Sequence, residues 1–375
     1  MLEVLSYLEY AESFDSRQQS KVKHTMKDVI AIVLFATIAD ADDWEEIEEF
    51  GKANEEFLRE YLKLPYGIPS HDTIQRVISI VNPRFLQNMQ ILWNEMMSTD
   101  EGEKLKKLLN IDGKTLRGNG CNGKKPLHVV TAYCKEDGIS LGQRAVKEKE
   151  NEIVAIPELL RVVNIKGHIV TIDAMGTQIE IAKQIRKQKG DYVLAVKGNQ
   201  GNLHKDIIDY FADTEFLERC KTSGGYHKTV EKARGGIEKR EYYQTDDIDW
   251  MYQKDNWAGL KTIGMTVNTI EKDGKRTEEK RYYISSLELN AKEFGRCVRG
   301  HWSVESMHWH LDVTFKEDAN KTIEEQAALN LNILRKFALA ILKTVDIGKK
   351  RASLKLKRFA ILANSEKFLR RIIEI

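Results

Sequence analysis

The alternation of apolar and polar residues divides the chain into four stretches. From residue 1 to about 98, apolar positions recur every three or four residues, as in MKDVIAIVLFATIA, WEEIEEFGKANEEFLREYL and HDTIQRVISIV. That is the period of helices with one buried face. Breaks fall at Pro65-Tyr66-Gly67 and Asn82-Pro83, and Ser70 is placed to cap a helix beginning near His71. Two such helices joined by a short turn could read DNA, but an ordinary helical bundle gives the same pattern and is favoured by periodicity alone.

From about residue 104 to 221, short β-branched and apolar runs predict strands at Leu108–Ile111, Leu127–Tyr133, Ile139–Val146, His168–Ile172 and Tyr192–Val196. Helices are predicted at Ile156–Val163 and Thr177–Gln188. Three strands, helix, strand, helix, strand is the order of a mixed α/β sheet with helices on its faces. Gly123 and Asp137-Gly138 supply the turns of an initial meander. Residues 222–290 read as a β-rich insertion with a hairpin turn at Lys272-Asp273-Gly274. Helical periodicity then returns for 291–375.

Composition narrows the class. A chain of 375 residues, 42% hydrophobic and 31% charged, is an ordinary globular protein long enough for two or three domains. The longest apolar run, Val29 to Ala39, falls short of the ~20 residues that cross a bilayer and predicts a buried helix. Acids near the N-terminus argue against an export signal, so a cytoplasmic setting is expected. Cys121, Cys134, Cys220 and Cys297 are scattered without a CxxC pair, which suits a reducing compartment and no zinc ribbon.

The net charge of +2 conceals an asymmetry. Seven acids crowd residues 40–49, whereas twelve Lys or Arg stand against three acids from Arg335 onward. Such a tail could follow a phosphate backbone, or form the solvated face of amphipathic helices.

Three acidic residues in distinctive settings carry the chemistry: Asp112 in NIDGKTLRG, Asp173 in HIVTIDAMGTQ and Glu305 in RGHWSVESMHW. The first two end apolar runs, which would project their carboxylates from a sheet edge; either alone reads better as a turn or cap residue. At ~100° per residue, His301, Glu305, His308 and Asp312 share an arc of roughly 60°, beside an apolar stripe of Val304, Met307, Leu311 and Phe315. Trp302 and Trp309 are expected to limit that polar stripe's exposure. Three carboxylates suit magnesium, and two such ions can drive in-line displacement at a phosphodiester. A His-Glu-His-Asp zinc set is a lesser alternative whose spacing matches no common pattern. The loop Lys197-Gly198-Asn199-Gln200 offers a cation and two amides to a DNA backbone, or is simply a strand-to-helix turn.

In order, these segments resemble the insertion-sequence DDE transposases of the H-repeat-associated group. The likeness runs from DVIAIVLFATIADADDWEEIEEFGKA and LPYGIPSHDTIQRVISIV through IDGKTLRG, EKENEIVAIPELL, TIDAMGTQIEIAKQI and DYVLAVKGNQ to HWSVESMHWHLDVTFKEDAN. The resemblance implies a ribonuclease-H-like core, with Asp112, Asp173 and Glu305 as catalytic residues holding two Mg²⁺ ions, Mn²⁺ being able to substitute. It implies double-stranded DNA as partner: an element's terminal inverted repeats, nicked to free 3′-hydroxyls, and the target that receives them. A dimer would synapse two ends, near the nucleoid. Residues 1–98 are the expected end-recognition region. Lys114, Arg117, Lys197, Asn199, Gln200, Arg299, His301 and Lys316 are candidate DNA contacts. The Tyr, Arg and Lys that many members of the wider superfamily carry around the Glu are replaced here by Val298, His301 and Asp312. An inactive transposase-derived DNA-binding regulator is the alternative, and a general metal-dependent nuclease a third reading.

Overall fold

The computed structural model describes residues 1–97, 106–120, 125–147, 150–233 and 235–374. The turn expected at Gly123, and Cys121, lie outside them. The amino-terminal helices are α1 (Leu2–Tyr7), α2 (Met26–Ile38), α3 (Trp44–Ala53), α4 (Glu55–Leu58), α5 (His71–Ile80) and α6 (Pro83–Met97). Ser70 caps α5 by accepting from the Thr73 N–H, and Pro83 opens α6 where a missing N–H costs nothing.

The centre alternates strands and helices: β1 (Leu108–Thr115), β2 (His128–Cys134), β3 (Ile139–Val146), α7 (Glu152–Val162), β4 (Ile169–Ile172), α8 (Ile179–Lys187) and β5 (Asp191–Val196). Then come α9 (Gly201–Tyr210), α10 (Thr214–Thr222), β6 (Tyr226–Ala233), β7 (Gly236–Thr245), β8 (Thr262–Lys272) and β9 (Lys275–Ser285). The chain closes with α11 (Ala291–Val313), α12 (Glu325–Thr344), α13 (Leu354–Ala363) and α14 (Ser365–Glu374).

The described strands form one nine-stranded sheet in the order β3-β2-β1-β4-β5-β9-β8-β7-β6. The antiparallel meander and the parallel β1–β4–β5 ladder give the mixed core that the strand–helix order predicts. The β-rich insertion is continuous with that core, because Val193–Val196 of β5 pair antiparallel with Tyr282–Ser285. Its hairpin turns at Asp273 and Gly274, both at positive φ. Residues Lys275–Arg281 of β9 run on past the last β5 rung, an overhang on the order of 20 Å at ~3.3 Å per residue.

Alternation sends Leu109, Ile111, Val170 and Ile172 into the large core, while Leu108, Ile169 and Val193 face Phe294, Cys297 and Val298 of α11. Every residue from Val29 to Ile38 is buried, so α2 is apolar all round and packs against α12.

The basic carboxy-terminal stretch departs from an extended phosphate-binding tail. Arg335, Lys336 and Arg358 are buried, Lys343 donates to Tyr133 Oη at 2.7 Å, and Arg370 pairs with Glu60 and Glu366. The cause is that α12 to α14 close the core and turn Arg335, Lys336 and Arg358 inward. Lys349, Lys350 and Arg351 remain exposed between α12 and α13.

Burial pulls the Lys336 ammonium down to about 7, with Nζ donating to Thr131 Oγ1 (2.7 Å) and Gln143 Oε1 (2.6 Å). The unfolded lysine keeps its proton to about 10.4. Between those values the unfolded chain binds the extra proton, so this group's effect is that stability rises with pH. Urea midpoints at about pH 7 and about pH 9 should therefore separate further in the wild type than in Lys336→Met. Equal separations would mean that the buried amine stays charged.

Candidate active site

The parallel ladder between β1 and β4 ends at the rung Ile111↔Ile172. Asp112 and Asp173 are the next residues on each strand and leave that rung side by side. The sequence places Asp112 at a strand end; in the structure β1 instead continues to Thr115, held by β2 through pairs such as Asp112↔Thr131. Only the parallel partner stops, and this opens the space beside Asp112. Asp173 does follow its strand. Its Oδ1 accepts from the Met175 and Gly176 N–H groups at 3.1 and 3.2 Å, which fixes the carboxylate at the head of the loop.

Two residues before each aspartate, on the same face, lies a buried polar side chain. Thr171 donates to Asn110 Oδ1 at 2.7 Å, and Asn110 Nδ2 donates to Gly300 O (3.0 Å) and Ser303 Oγ (2.8 Å) of α11. Thr171 Oγ1 also lies 2.8 Å from His301 Nδ1. Since the hydroxyl's proton goes to Asn110, His301 is assigned as the Nδ1–H donor, leaving Nε2 bare. This lattice fastens α11 across β1 and β4 just below the acids. Above it, His308 Nδ1 stands 3.4 Å from Asp112 Oδ2.

Val304, Met307, Leu311 and Phe315 are buried as expected, and Glu305 is exposed on the opposite flank. The two tryptophans cover it less than predicted: Trp302 is 38% and Trp309 56% exposed. Crowding around the Glu305 carboxyl pushes its pKa up, the Asp112 charge adds to this, and Arg281 and Lys197 oppose it. Burial pulls the His301 imidazole down, against the charges of Asp112 and Asp173. Asp112 thus acts on both Glu305 and His301, and Asp173 on His301, and carboxylates are hard oxygen donors of the kind that suit a divalent cation. As the side chains stand, no three His, Cys, Asp or Glu groups among the described residues are close enough together to hold one. The zinc alternative loses Asp312, which meets Lys114 Nζ at 2.7 Å, and its other members are not gathered into a group that could share an ion.

The remaining candidates separate by location. Lys114 is turned inward among Asp312, Glu317 and Asp318, and these acids outweigh burial to hold its pKa above the ordinary value. Lys316 reaches Asp42 at 3.1 Å. Lys197 is exposed and acts on the Glu305 carboxyl, Arg117 is exposed beside Asp318 (3.8 Å), and Arg299 is exposed beside Arg240 and Tyr242, on the side of α11 facing β7. Asn199 and Gln200 both donate to Ala174 O, at 2.7 and 2.8 Å, tying the loop after β5 to the loop that carries Asp173.

Residues not singled out from sequence also shape the site. Asn110 and Thr171 had a signal, being polar positions inside the apolar runs LLNID and IVTID at the same two-residue offset from an aspartate. Arg281 had none, because only the register of the insertion brings it to Glu305.

With this geometry in view, comparison with known proteins is decisive. A family model described as "Transposase DDE domain" matches residues 103–341, and one described as "DDE_Tnp_1-associated" matches 11–94. The chain belongs to the DDE transposase family. "Putative transposase YncI" of Escherichia coli O157:H7 is 37% identical over 97% of this chain and 93% of its own length. "H repeat-associated putative transposase YhhI" of E. coli K12 is 37% identical over 93% of each. "Inactive transposase YbfQ" of E. coli K12 is 45% identical over 17% of this chain and 77% of its own length. Among solved structures, a piggyBac transposase synaptic complex with hairpin DNA aligns at a TM-score of 0.38 and 13% identity, over 100% of this chain and 80% of that one. Among the described residues, no helix of this DDE-family chain is long and apolar enough to cross a membrane.

The matched segment holds all three acids, and Gly113 beside the first is constrained by packing. His128 Nε2 and Glu152 Oε1 are 2.7 Å apart directly against Gly113. A Cβ there would overlap Glu152 and come within 2.5 Å of His128 Nε2. Gly113→Ala is therefore expected to cost about 1–3 kcal/mol in urea unfolding and to displace the strand at Asp112. A loss below about 0.5 kcal/mol would show that the His128–Glu152 pair yields freely.

Proposed function

We propose that this chain is a transposase that binds the inverted repeats at the ends of its own element, hydrolyses a phosphodiester there to free a 3′-hydroxyl, and transfers that end to target DNA. Asp112, Asp173 and Glu305 would hold divalent cations, Mg²⁺ with Mn²⁺ able to substitute, two to a site. Such ions, when bound, lower the pKa of an attacking water or hydroxyl and neutralise charge on the leaving oxygen. The observation that carries this reading is the pair of aspartates leaving one rung of a parallel ladder, beneath a glutamate on a helix fastened to the same two strands.

The chain's own residues supply orientation. The Met175 and Gly176 amides fix Asp173, His308 flanks Asp112, and the Asn110–Thr171–His301 lattice keeps α11 from sliding along the sheet. Lys197 is exposed and would meet phosphate oxygens, as would Arg117 on leaving Asp318 3.8 Å away, whereas Asn199 and Gln200 act by bracing the Asp173 loop. Residues 1–98 would recognise the element ends, which the separate family match over 11–94 supports. Joining two ends calls for two copies of the chain, at work on DNA in the cytoplasm.

The test is to incubate the purified chain and a duplex bearing the repeats that flank its reading frame with Mg²⁺ or Mn²⁺, and resolve nicked and joined products. Site-specific nicking followed by strand joining supports the proposal. Binding without cleavage, unchanged in Asp112→Ala, would instead identify a regulator. Cleavage of unrelated duplexes without joined product would identify a general nuclease.

A further inference from the structure

The strand order β1-β4-β5-β9 turns residues far apart in sequence into a row along one sheet edge. Asp112 and Asp173 stand one step past Ile111↔Ile172, and Lys197 and Arg281 one step past Val196↔Tyr282. All four alternate onto the α11 face, in phase with Asn110, Thr171, Ala195 and Tyr283. Because Ile172 pairs with Leu194, Asp173 is level with Ala195, so the cations sit two residues (~6.6 Å) further out than the acids. The sheet edge thus presents two carboxylates and then, two residues further out, two cations.

Arg281 is held over an aromatic ring. Its guanidinium carbon lies 4.9 Å from the centre of the Trp302 ring, three residues before Glu305. Glu279 takes Nε at 2.9 Å and Nη2 at 3.2 Å. A guanidinium stacked on an aromatic face keeps its in-plane N–H groups available, and Nη1 is bonded to nothing among the described residues. Its charge reaches the centre, since it opposes the upward push on the Glu305 carboxyl. A polynucleotide strand carries a phosphate at every nucleotide, so a phosphate addressed by the acids has a neighbour on either side.

We propose that Arg281, laid against Trp302, binds the DNA phosphate next to the one that Asp112, Asp173 and Glu305 address, and that the β6–β9 extension serves to deliver it there. This rests on the proposed action on DNA. It also accounts for the overhanging strands, because β9 enters the core sheet one residue after Arg281 and the core thereby fixes the height of that cation relative to the acids.

The experiment uses the full chain, with divalent metal withheld, and measures affinity for a labelled duplex ending in the flanking inverted repeat. Single phosphates near the cleavage position are replaced in turn by methylphosphonate. In the wild type, one replacement beside the scissile position should weaken binding roughly tenfold, the scale of a hydrogen bond to a charged group. In Arg281→Ala the same replacement should add no further loss, and the slope of log affinity against log salt should fall by about one. Arg281→Lys and Trp302→Phe, each checked for an unchanged thermal melt, should keep part of the position-specific loss. Losses that add at every position would overturn the proposal and leave Arg281 as a partner of Glu279 alone. A wild-type chain that binds no terminal-repeat duplex would sink the functional reading itself, an outcome distinct from additive losses.

Discussion

Asp173→Asn should reduce nicking of the terminal-repeat duplex to the uncatalysed background while leaving DNA affinity within about twofold, the result expected when one hard-oxygen ligand is lost and no cation is touched. The exchange is nearly isosteric. An amide oxygen can still accept from the Met175 and Gly176 N–H groups, so the loop after β4 should keep its shape. What changes is the charge beside Asp112. Asp112→Asn should behave the same way in nicking, although His308 then faces a neutral amide in place of a carboxylate 3.4 Å away. Two measurements suffice: product formation with Mg²⁺ or Mn²⁺, and affinity in its absence. Near-normal nicking by Asp173→Asn would remove that residue from the reacting centre. Lost affinity in both variants would mean the aspartates hold the protein together and do not act on DNA.

The elements around this centre were legible because their signals are local. The runs before Asp112 and Asp173 are apolar and β-branched, Ser70 and Pro83 punctuate helices, and Asp273-Gly274 demands a tight turn. The choice of Asp112, Asp173 and Glu305 as candidates came from the resemblance of whole segments. Adjacency was not. That Asp112 and Asp173 share a rung depends on the register of β1 with β4, and nothing in either segment states it. The same gap explains Lys114. Beside Asp112 in sequence it looks like a phosphate contact, but alternation puts it on the α11 face, where Asp312, Glu317 and Asp318 arrive from two hundred residues downstream. Arg281 is the converse, a cation in a polar hairpin that only sheet topology carries to Glu305.

Charge asymmetry misled for a related reason. The acidic run at 40–49 and the basic stretch after Arg335 look like separate surfaces when read along the chain, yet the fold brings them into contact. Asp43 caps α3, Glu48 accepts from the His71 backbone and ring, and Asp42 meets Lys316 and Arg358. Arg335, Lys336 and Arg358 of the basic stretch lie inside the molecule, and Arg358 joins the amino-terminal helices to those that finish the core. Counting charges by sequence window cannot reveal that Arg358 of one window lies between Asp40 and Asp42 of the other.

Arg358→Ala should be the most destabilising single change at that junction, at about 3–5 kcal/mol, the usual cost of removing one partner from a buried ion pair. Arg358 is fully buried. Its guanidinium donates to Thr37 O at 2.9 Å, to Asp42 Oδ1 at 2.7 Å and to Thr314 O, pairs with Asp40 at 2.9 Å, and lies 4.3 Å from the Phe315 ring centre. Alanine would strand two carbonyls that end α2 and α11, leave Asp42 buried beside Asp40, and open a cavity under Phe315. Arg358→Lys should recover only part of the loss, because one ammonium cannot span acceptors arranged for a planar fork. Lys350→Ala, equally basic but exposed, should stay within about 0.5 kcal/mol. Urea unfolding of the three variants decides the matter. A cost below about 1 kcal/mol for Arg358→Ala would mean that water or nearby lysines replace the guanidinium, and that α13 is not anchored to α2 by charge.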